Sequence, residues 1–342
     1  MQKLKAVKHA TLTDSVLKLL TQGRIITILE FLQEDIEKLS TLTKLSLPDI
    51  ITLRSHIFNK YSAPLINGAT LLKRIKTKKN FVQTGIESLD LILNGGIPVG
   101  HITELFGLAD SGKTQLCFQL AINCVKHING TVLYLDTKGD FSAIRIQKIL
   151  EAEGLNHKEM ALVMYKIKII HVWTMDEIIE ILQKIKNNSI VFDNLSLIIV
   201  DSLPCLMFQY LGDENKIGLA LLNTFVNYCR FISNDIELGI VCINLQTRWV
   251  DQDVSDLDEE YKEQSTTLYR ETAYIEKRNR CLGNYWRHVP SVILLLDKSQ
   301  PILCDGKHIC SHLTVTKMKS AEGNIKSCNL QLNACGITSI SK

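Results

Sequence analysis

No CxxC pair occurs among the ten cysteines, so the spacing of common zinc modules and thioredoxin-like redox sites is absent. The cysteines are scattered, and Cys117, Cys124, Cys205 and Cys242 fall inside apolar runs, which fits small core residues in a reducing compartment better than a disulfide framework. One Cys/His grouping, Cys304, His308, Cys310 and His312, has no common zinc spacing; it reads either as a zinc site or as a hairpin with incidental polar residues. No run approaches the ~20 apolar residues that cross a bilayer. The first residues, MQKLKAVKHATLTDSV, carry neither a secretory apolar segment nor an Arg-rich, Ser-rich transit character. The expectation is a soluble intracellular protein with no membrane partner. A large charge excess is missing too: at a formal +3, any nucleic-acid contact has to be local.

What is present suffices for one large core and a small extra domain: 342 residues, 46% of them hydrophobic. Residues 1–60 are predicted to form a small all-α domain. Apolar positions recur at helical spacing in Val16, Leu17, Leu19 and Leu20, then Ile28, Leu29, Phe31 and Leu32, then Ile36 and Leu39, with Gly23 as punctuation. Ser46 is the expected N-cap of a last helix, with Pro48 in its first turn and Ile50, Ile51, Leu53 and Ile57 along one face. Residues 61–80, with Pro64, Gly68 and the basic run Lys73, Arg74, Lys76, Lys78 and Lys79, read as a linker. That run is open to three readings: solvated charge, phosphate contact or nuclear import signal.

Over 81–342, short aliphatic runs at 102–106, 131–135, 167–172, 197–200, 239–243, 292–296 and 313–316 alternate with helical stretches such as 114–125 and 143–152. Strands this apolar on both faces belong in a mainly parallel sheet flanked by helices, with the last strands as an antiparallel extension. The fold class is therefore α/β behind a helical N-terminal domain.

Gly107, Leu108, Ala109, Asp110, Ser111, Gly112, Lys113 and Thr114 satisfy GxxxxGK[ST], between a predicted strand and the helix that continues through Gln115. The two glycines let backbone amides wrap phosphates, Lys113 reaches the outer phosphates, and the Thr114 hydroxyl suits magnesium. Asp110 is out of place, since a carboxylate near a triphosphate is unfavourable unless it points away; weaker nucleotide affinity is expected. The apolar run 197–200 ends in Asp201, the second expected magnesium residue. ATP and Mg2+ are the implied cofactors.

Thr84-Gly85-Ile86-Glu87-Ser88-Leu89-Asp90, then Asn94-Gly95-Gly96-Ile97, Gly100 through Gly107 and Ser111 through Gln115 resemble the opening of the RecA/RadA-like recombinase core. The order of helical domain, linker and core is similar to the eukaryotic members. PLINGATLL at 64–72, LYLDT at 133–137, Asn244 with Thr247 and Arg248, and GNYWRHVPSVILLL at 283–296 resemble their D-type paralogue branch. The resemblance implies a P-loop ATPase core acting in homologous-recombination repair of DNA in the nucleus, within a hetero-oligomer of paralogues that assists the recombinase filament. It also implies that Arg145 contacts the adenine. Two departures are evident. Lys138 stands where active recombinases carry the glutamate that activates water, and a lysine cannot act as that base. Leu245 follows Asn244 where a relay glutamine is expected, with Gln246 displaced by one. The expectation is weak, DNA-stimulated hydrolysis; the alternatives are a scaffold that uses nucleotide only structurally and a RecA-type helicase motor.

By the same resemblance, the loops after Asp201 and Asn244 face single-stranded or branched DNA. Residues 251–263 carry seven acids against one lysine and suit phosphates poorly. Beyond them, Arg270, Lys277, Arg278, Arg280 and Arg287, with Arg248 ahead, are candidate DNA contacts, and Tyr269, Tyr274, Tyr285 and Trp286 are candidate stacking partners; a disordered insertion with a few buried aromatics is the other reading. The family's subunit-docking motif, which adds a strand to a neighbour's sheet, maps to Ile66 and Ala69, with an aliphatic residue in the aromatic's place.

Overall fold

Threonine, serine and a reciprocal glutamate decide where the first helices start. Thr13 accepts the Val16 N–H and opens α1 (Asp14–Gln22). Thr27 and Glu30 form a capping box on α2 (Ile28–Gln33), and α3 (Ile36–Thr43) follows. Ser46 accepts the Asp49 N–H and Pro48 occupies the first turn of α4 (Leu47–Tyr61), as the sequence predicted. Leu20, Phe31, Leu39, Ile50, Leu53 and Ile57 share one core, which Leu4 and Val7 also enter. Leu29 and Ile51 turn outward instead, because each follows a buried residue and so sits ~100° around the helix from it.

The structure, a computed structural model, describes residues 3–7, 9–62, 66–77, 80–210, 216–250, 276–304, 308–320, 323 and 325–340. The chain divides into two units, Met1–Thr77 and Lys78–Lys342. Within the stretch read as linker lies a helix, α5 (Gly68–Thr77), grouped with the first unit. Asn67 explains its start: the Asn67 side chain accepts the Thr70 N–H at 2.8 Å, and no proline follows to stop it.

The second unit begins with β1 (Phe81–Val82), α6 (Glu87–Leu93), β2 (Ile97–Pro98), β3 (Ile102–Gly107) and α7 (Lys113–Ile128). It continues with β4 (Thr131–Asp136), α8 (Ala143–Ala152), α9 (His157–Lys166), β5 (Ile167–His171), α10 (Met175–Lys186), β6 (Leu195–Asp201), α11 (Leu203–Met207) and α12 (Lys216–Ile236). The final part holds β7 (Gly239–Val250), β8 (Glu276–Arg280), α13 (Gly283–His288), β9 (Val292–Cys304), β10 (His308–Lys319), β11 (Lys326–Asn333) and β12 (Gly336–Ser339). The main sheet runs β12-β11-β10-β9-β3-β7-β6-β4-β5, with β8 attached to β7. From β9 to β5 all neighbours are parallel, and from β9 to β12 they are antiparallel, the extension expected from the sequence.

Strand alternation separates two cores. Val132, Tyr134, Leu197, Ile199, Val241 and Ile243 pack with α6 to α9 on one face. Leu133, Leu135, Ile198, Val200, Ile240 and Cys242 pack with α10 to α13 on the other. Each buried aliphatic side chain contributes on the order of 2 kcal/mol, so strands buried on both faces fix the sheet's register and hold the ends of β3, β4, β6 and β7 together. Among the described residues no helix is long and apolar enough to cross a membrane.

Candidate nucleotide-binding site

The fully buried strand β3 runs into the glycine-rich loop, and α7 leaves it at Lys113. A side chain at Gly107 would overlap the Leu296 carbonyl and sit 2.8 Å from Ser111 Oγ, so the backbone there has no substitute residue. Gly112 takes a left-handed φ of 92° as it hands the chain to α7. Lys113 is folded back into the loop, donating to the carbonyls of Gly107 at 3.1 Å and Leu108 at 2.6 Å and to Ser111 Oγ at 3.3 Å. Burial, reinforced by the Lys138 charge, pushes its ammonium down to about 8. An ammonium lodged among loop oxygens, under a loop too tight for any Cβ at its first position, fits a site for a terminal phosphate.

Thr114 and Asp201 meet as expected. Thr114 Oγ1 donates to Asp201 Oδ2 at 2.7 Å, and Tyr134 donates its hydroxyl proton to the same oxygen at 2.7 Å. This set of hard oxygens suits Mg2+, which Thr114 and Asp201 would hold. Lys138 is the discordant member, with Nζ 3.4 Å from Asp201 Oδ1 and 3.8 Å from Asp140 Oδ2. Its placement follows from local backbone chemistry. Asp136 Oδ1 accepts the N–H groups of Lys138, Gly139 and Asp140, and Oδ2 that of Phe141, closing the turn after β4. Thr137 Oγ1 donates to the Ser202 carbonyl and accepts the Ser202 N–H, both at 2.8 Å, pinning the ends of β4 and β6 side by side.

Asp110 does not crowd the phosphate position. At φ 58° its carboxylate is 91% exposed and paired with Lys298 Nζ at 2.9 Å, which removes the reason for expecting weaker affinity. Leu108 and Ala109 complete the loop. Arg145 lies against α7, donating from Nε to Gln115 Oε1 at 2.8 Å and from its two terminal nitrogens to the carbonyls of Ala334 and Asn333. Its guanidinium is thus fixed by three protein acceptors, one of them on Gln115 at the start of α7.

The candidate DNA residues scatter. Backbone pairing of Gln246–Val250 with Glu276–Arg280 makes an antiparallel ribbon that carries Arg248, Lys277 and Arg278 in register positions, Arg248 opposite Arg278. Arg270, Tyr269, Tyr274 and the acidic stretch 251–263 lie outside the described residues. Arg287 is exposed on α13. Arg280 points inward instead: it pairs with the buried Glu104 at 2.9 Å and covers the Phe106 ring, so it is a counter-ion of β3. Trp286 and Tyr285 are not stacking platforms either. Trp286 is 1% exposed within the core, and the Tyr285 hydroxyl donates to Asn223, because α13 packs onto the α10–α12 side of the sheet. Asn244 donates to Glu104 Oε1 at 2.7 Å and to the Cys281 carbonyl; Leu245, at the expected relay position, and Gln246 are half-buried. Burial pushes the Glu104 carboxyl up against the opposing pull of Asn244 and Arg280.

Ile66 and Ala69 are both exposed, but Ala69 sits in α5 rather than in an extended segment. Cys304 pairs with His308 across β9 and β10, which is hairpin geometry; the side chains of Cys304, His308 and Cys310 are outside the described residues, and among those described no His/Cys/Asp/Glu cluster would hold a metal. Sequence reasoning missed Tyr134, Asp136, Glu104 and Lys298. An acid at the end of a strand before KGD was a signal for Asp136; nothing local marked Lys298, which reaches Asp110 from 188 residues away.

A mainly parallel sheet with helices on both faces, a glycine-rich loop between its central strand and a helix, and an aspartate at the end of a nearby parallel strand define a RecA-like α/β protein. A family model described as Rad51 matches residues 76–260, more than half of the sequence, and the chain belongs to the Rad51 family. The DNA repair protein RAD51 homolog 4 of Bos taurus is 28% identical over 305 residues, covering 88% of this chain and 86% of that protein, in keeping with the D-type resemblance. The DNA repair and recombination protein RadA of Metallosphaera sedula is 34% identical over 181 residues, covering 50% of this chain and 54% of its own. The solved structure of the RadB recombinase superposes with a TM-score of 0.55 over 76% of this chain and 100% of that one; at 20% identity the likeness concerns the fold.

Proposed function

We propose that this chain is a recombination-repair paralogue that binds ATP with Mg2+, turns it over slowly, and works on single-stranded or branched DNA beside related paralogues in the nucleus. The observation that carries the reading is the meeting of Lys113, Thr114 and Asp201 at the ends of β3 and β6. When bound, the metal neutralises charge on the transferred phosphoryl group. The chain's own residues bind and orient: loop amides and Lys113 grip phosphate, Thr114 and Asp201 hold the ion, and Arg145 stays near the base. The place of a general base is held by Lys138, a cation already engaged with Asp201. The β7–β8 ribbon that carries Arg248, Lys277 and Arg278, and the exposed Arg287, are proposed for DNA, which the recombination names of the relatives support. Ile66 and Ala69 are proposed to dock onto a related paralogue, which requires the start of α5 to unwind.

The reading is tested by ATP binding and hydrolysis with the purified protein, with and without single-stranded DNA. Native protein is expected to bind ATP and to be stimulated by DNA, and Lys113→Ala to lose both. Equal behaviour of the two proteins in a repair assay would favour the second reading, a scaffold using nucleotide only structurally, for which the Lys138–Asp201 pair is the favouring observation.

A further inference from the structure

Lys138 replaces a water-activating acid, and its surroundings give the replacement a positive role. Asp201 is buried, and its two oxygens divide their work. Oδ2 accepts from Thr114 and Tyr134, while Oδ1 faces the Lys138 ammonium at 3.4 Å. The Lys138 side chain is 25% exposed, so it stands at the mouth of the site with Asp201 behind it. Its backbone is held by the Asp136 carboxylate and follows the Thr137–Ser202 clamp, so the side chain starts from a fixed point beside Asp201.

A buried carboxylate without a counter-charge is costly. In a site built of a loop lysine, a threonine hydroxyl and a strand-end aspartate, a divalent ion ordinarily supplies that charge and screens the triphosphate. Here a side chain supplies it. A lysine ammonium is a compact point charge whose three N–H groups donate to phosphate oxygens. Nucleotide affinity and the metal requirement would therefore separate in this chain.

We propose that Lys138 is a resident counter-cation beside Asp201, giving this chain nucleoside-triphosphate binding with little dependence on a divalent cation. The inference rests on the nucleotide-binding reading above. The test is equilibrium binding of a fluorescent ATP analogue to the full-length protein, in magnesium and in EDTA at matched ionic strength. Native protein is expected to bind within about threefold of equal affinity in the two buffers, Lys138→Arg to behave similarly, and Lys138→Met to weaken about tenfold or more in EDTA only. Because each variant is compared with itself in two buffers, a reduced folded fraction cancels. A native affinity that collapses in EDTA, or a Lys138→Met ratio equal to the native one, overturns the inference while binding in magnesium keeps the nucleotide reading intact. No binding in either buffer removes that reading and the inference with it.

Discussion

Lys113 holds its charge in a buried loop where only carbonyls and a hydroxyl solvate it. With its folded value at about 8 and an ordinary lysine value near 10.5 when unfolded, both states are protonated below pH 8 and only the unfolded state is between the two. The unfolded state then binds more protons, so this residue's contribution to stability rises with pH across that window. Urea unfolding without nucleotide should show native protein gaining up to ~3 kcal/mol on Lys113→Met between pH 8 and 10.5; parallel curves would refute the burial. Asp110 and Lys298 make a milder case. The pair is exposed on the carboxylate side, so its net worth is ~0–1 kcal/mol. Lys298→Ala should lower ATP affinity by a factor of about two to five by leaving the loop carboxylate of Asp110 without its counter-charge, and adding Asp110→Ala should restore it; a double variant as weak as the single one would contradict this. The motif made Lys113 legible from the sequence because its signal is local, whereas the Lys298 partnership depends on how the antiparallel extension folds over the loop.

Among the elements, β3 links the loop to the β7–β8 ribbon. Glu104 on β3 holds Asn244 at the end of the first β7 segment and Arg280 at the end of β8, so the ribbon's base is anchored to the strand that carries the phosphate loop. Arg280→Ala would leave Glu104 buried without its counter-ion, at a cost of about 3 kcal/mol, read as a lower urea midpoint and faster amide exchange in 276–281. An unchanged midpoint would mean that the pair is dispensable. β3, β4, β6 and the first part of β7 were readable from apolar runs, since burial on both faces leaves no polar position to confuse the pattern, while α8 was readable from its helical spacing. The short β1 and β2 and the α5 helix were not: the first two have too few residues for periodicity, and α5 depends on the Asn67 cap within a segment whose basic composition suggests a linker. The basic-aromatic stretch misled for the opposite reason. Arg280 and Trp286 read as surface residues by type, yet tertiary pairing with Glu104 and packing beneath α12 take them inside.

For the molecule as a whole, a Rad51-family fold carries Lys138 beside Asp201. The Rad51 match spans the loop, β4, Lys138, Asp201 and the first ribbon strand. What the sequence conveyed about the site was its composition, namely which groups are present and which acid is missing. The position of the Lys138 ammonium on Asp201 required the turn closed by Asp136, which no motif encodes. The most direct measurement is single-turnover ATP hydrolysis, with magnesium and single-stranded DNA, by native protein and by Lys138→Glu. A general base contributes ~10²–10⁴ in rate. Slow native turnover is expected, with an acceleration of about tenfold or more in Lys138→Glu. Fast native turnover, or a Lys138→Glu rate no higher than native despite ATP binding, would contradict it.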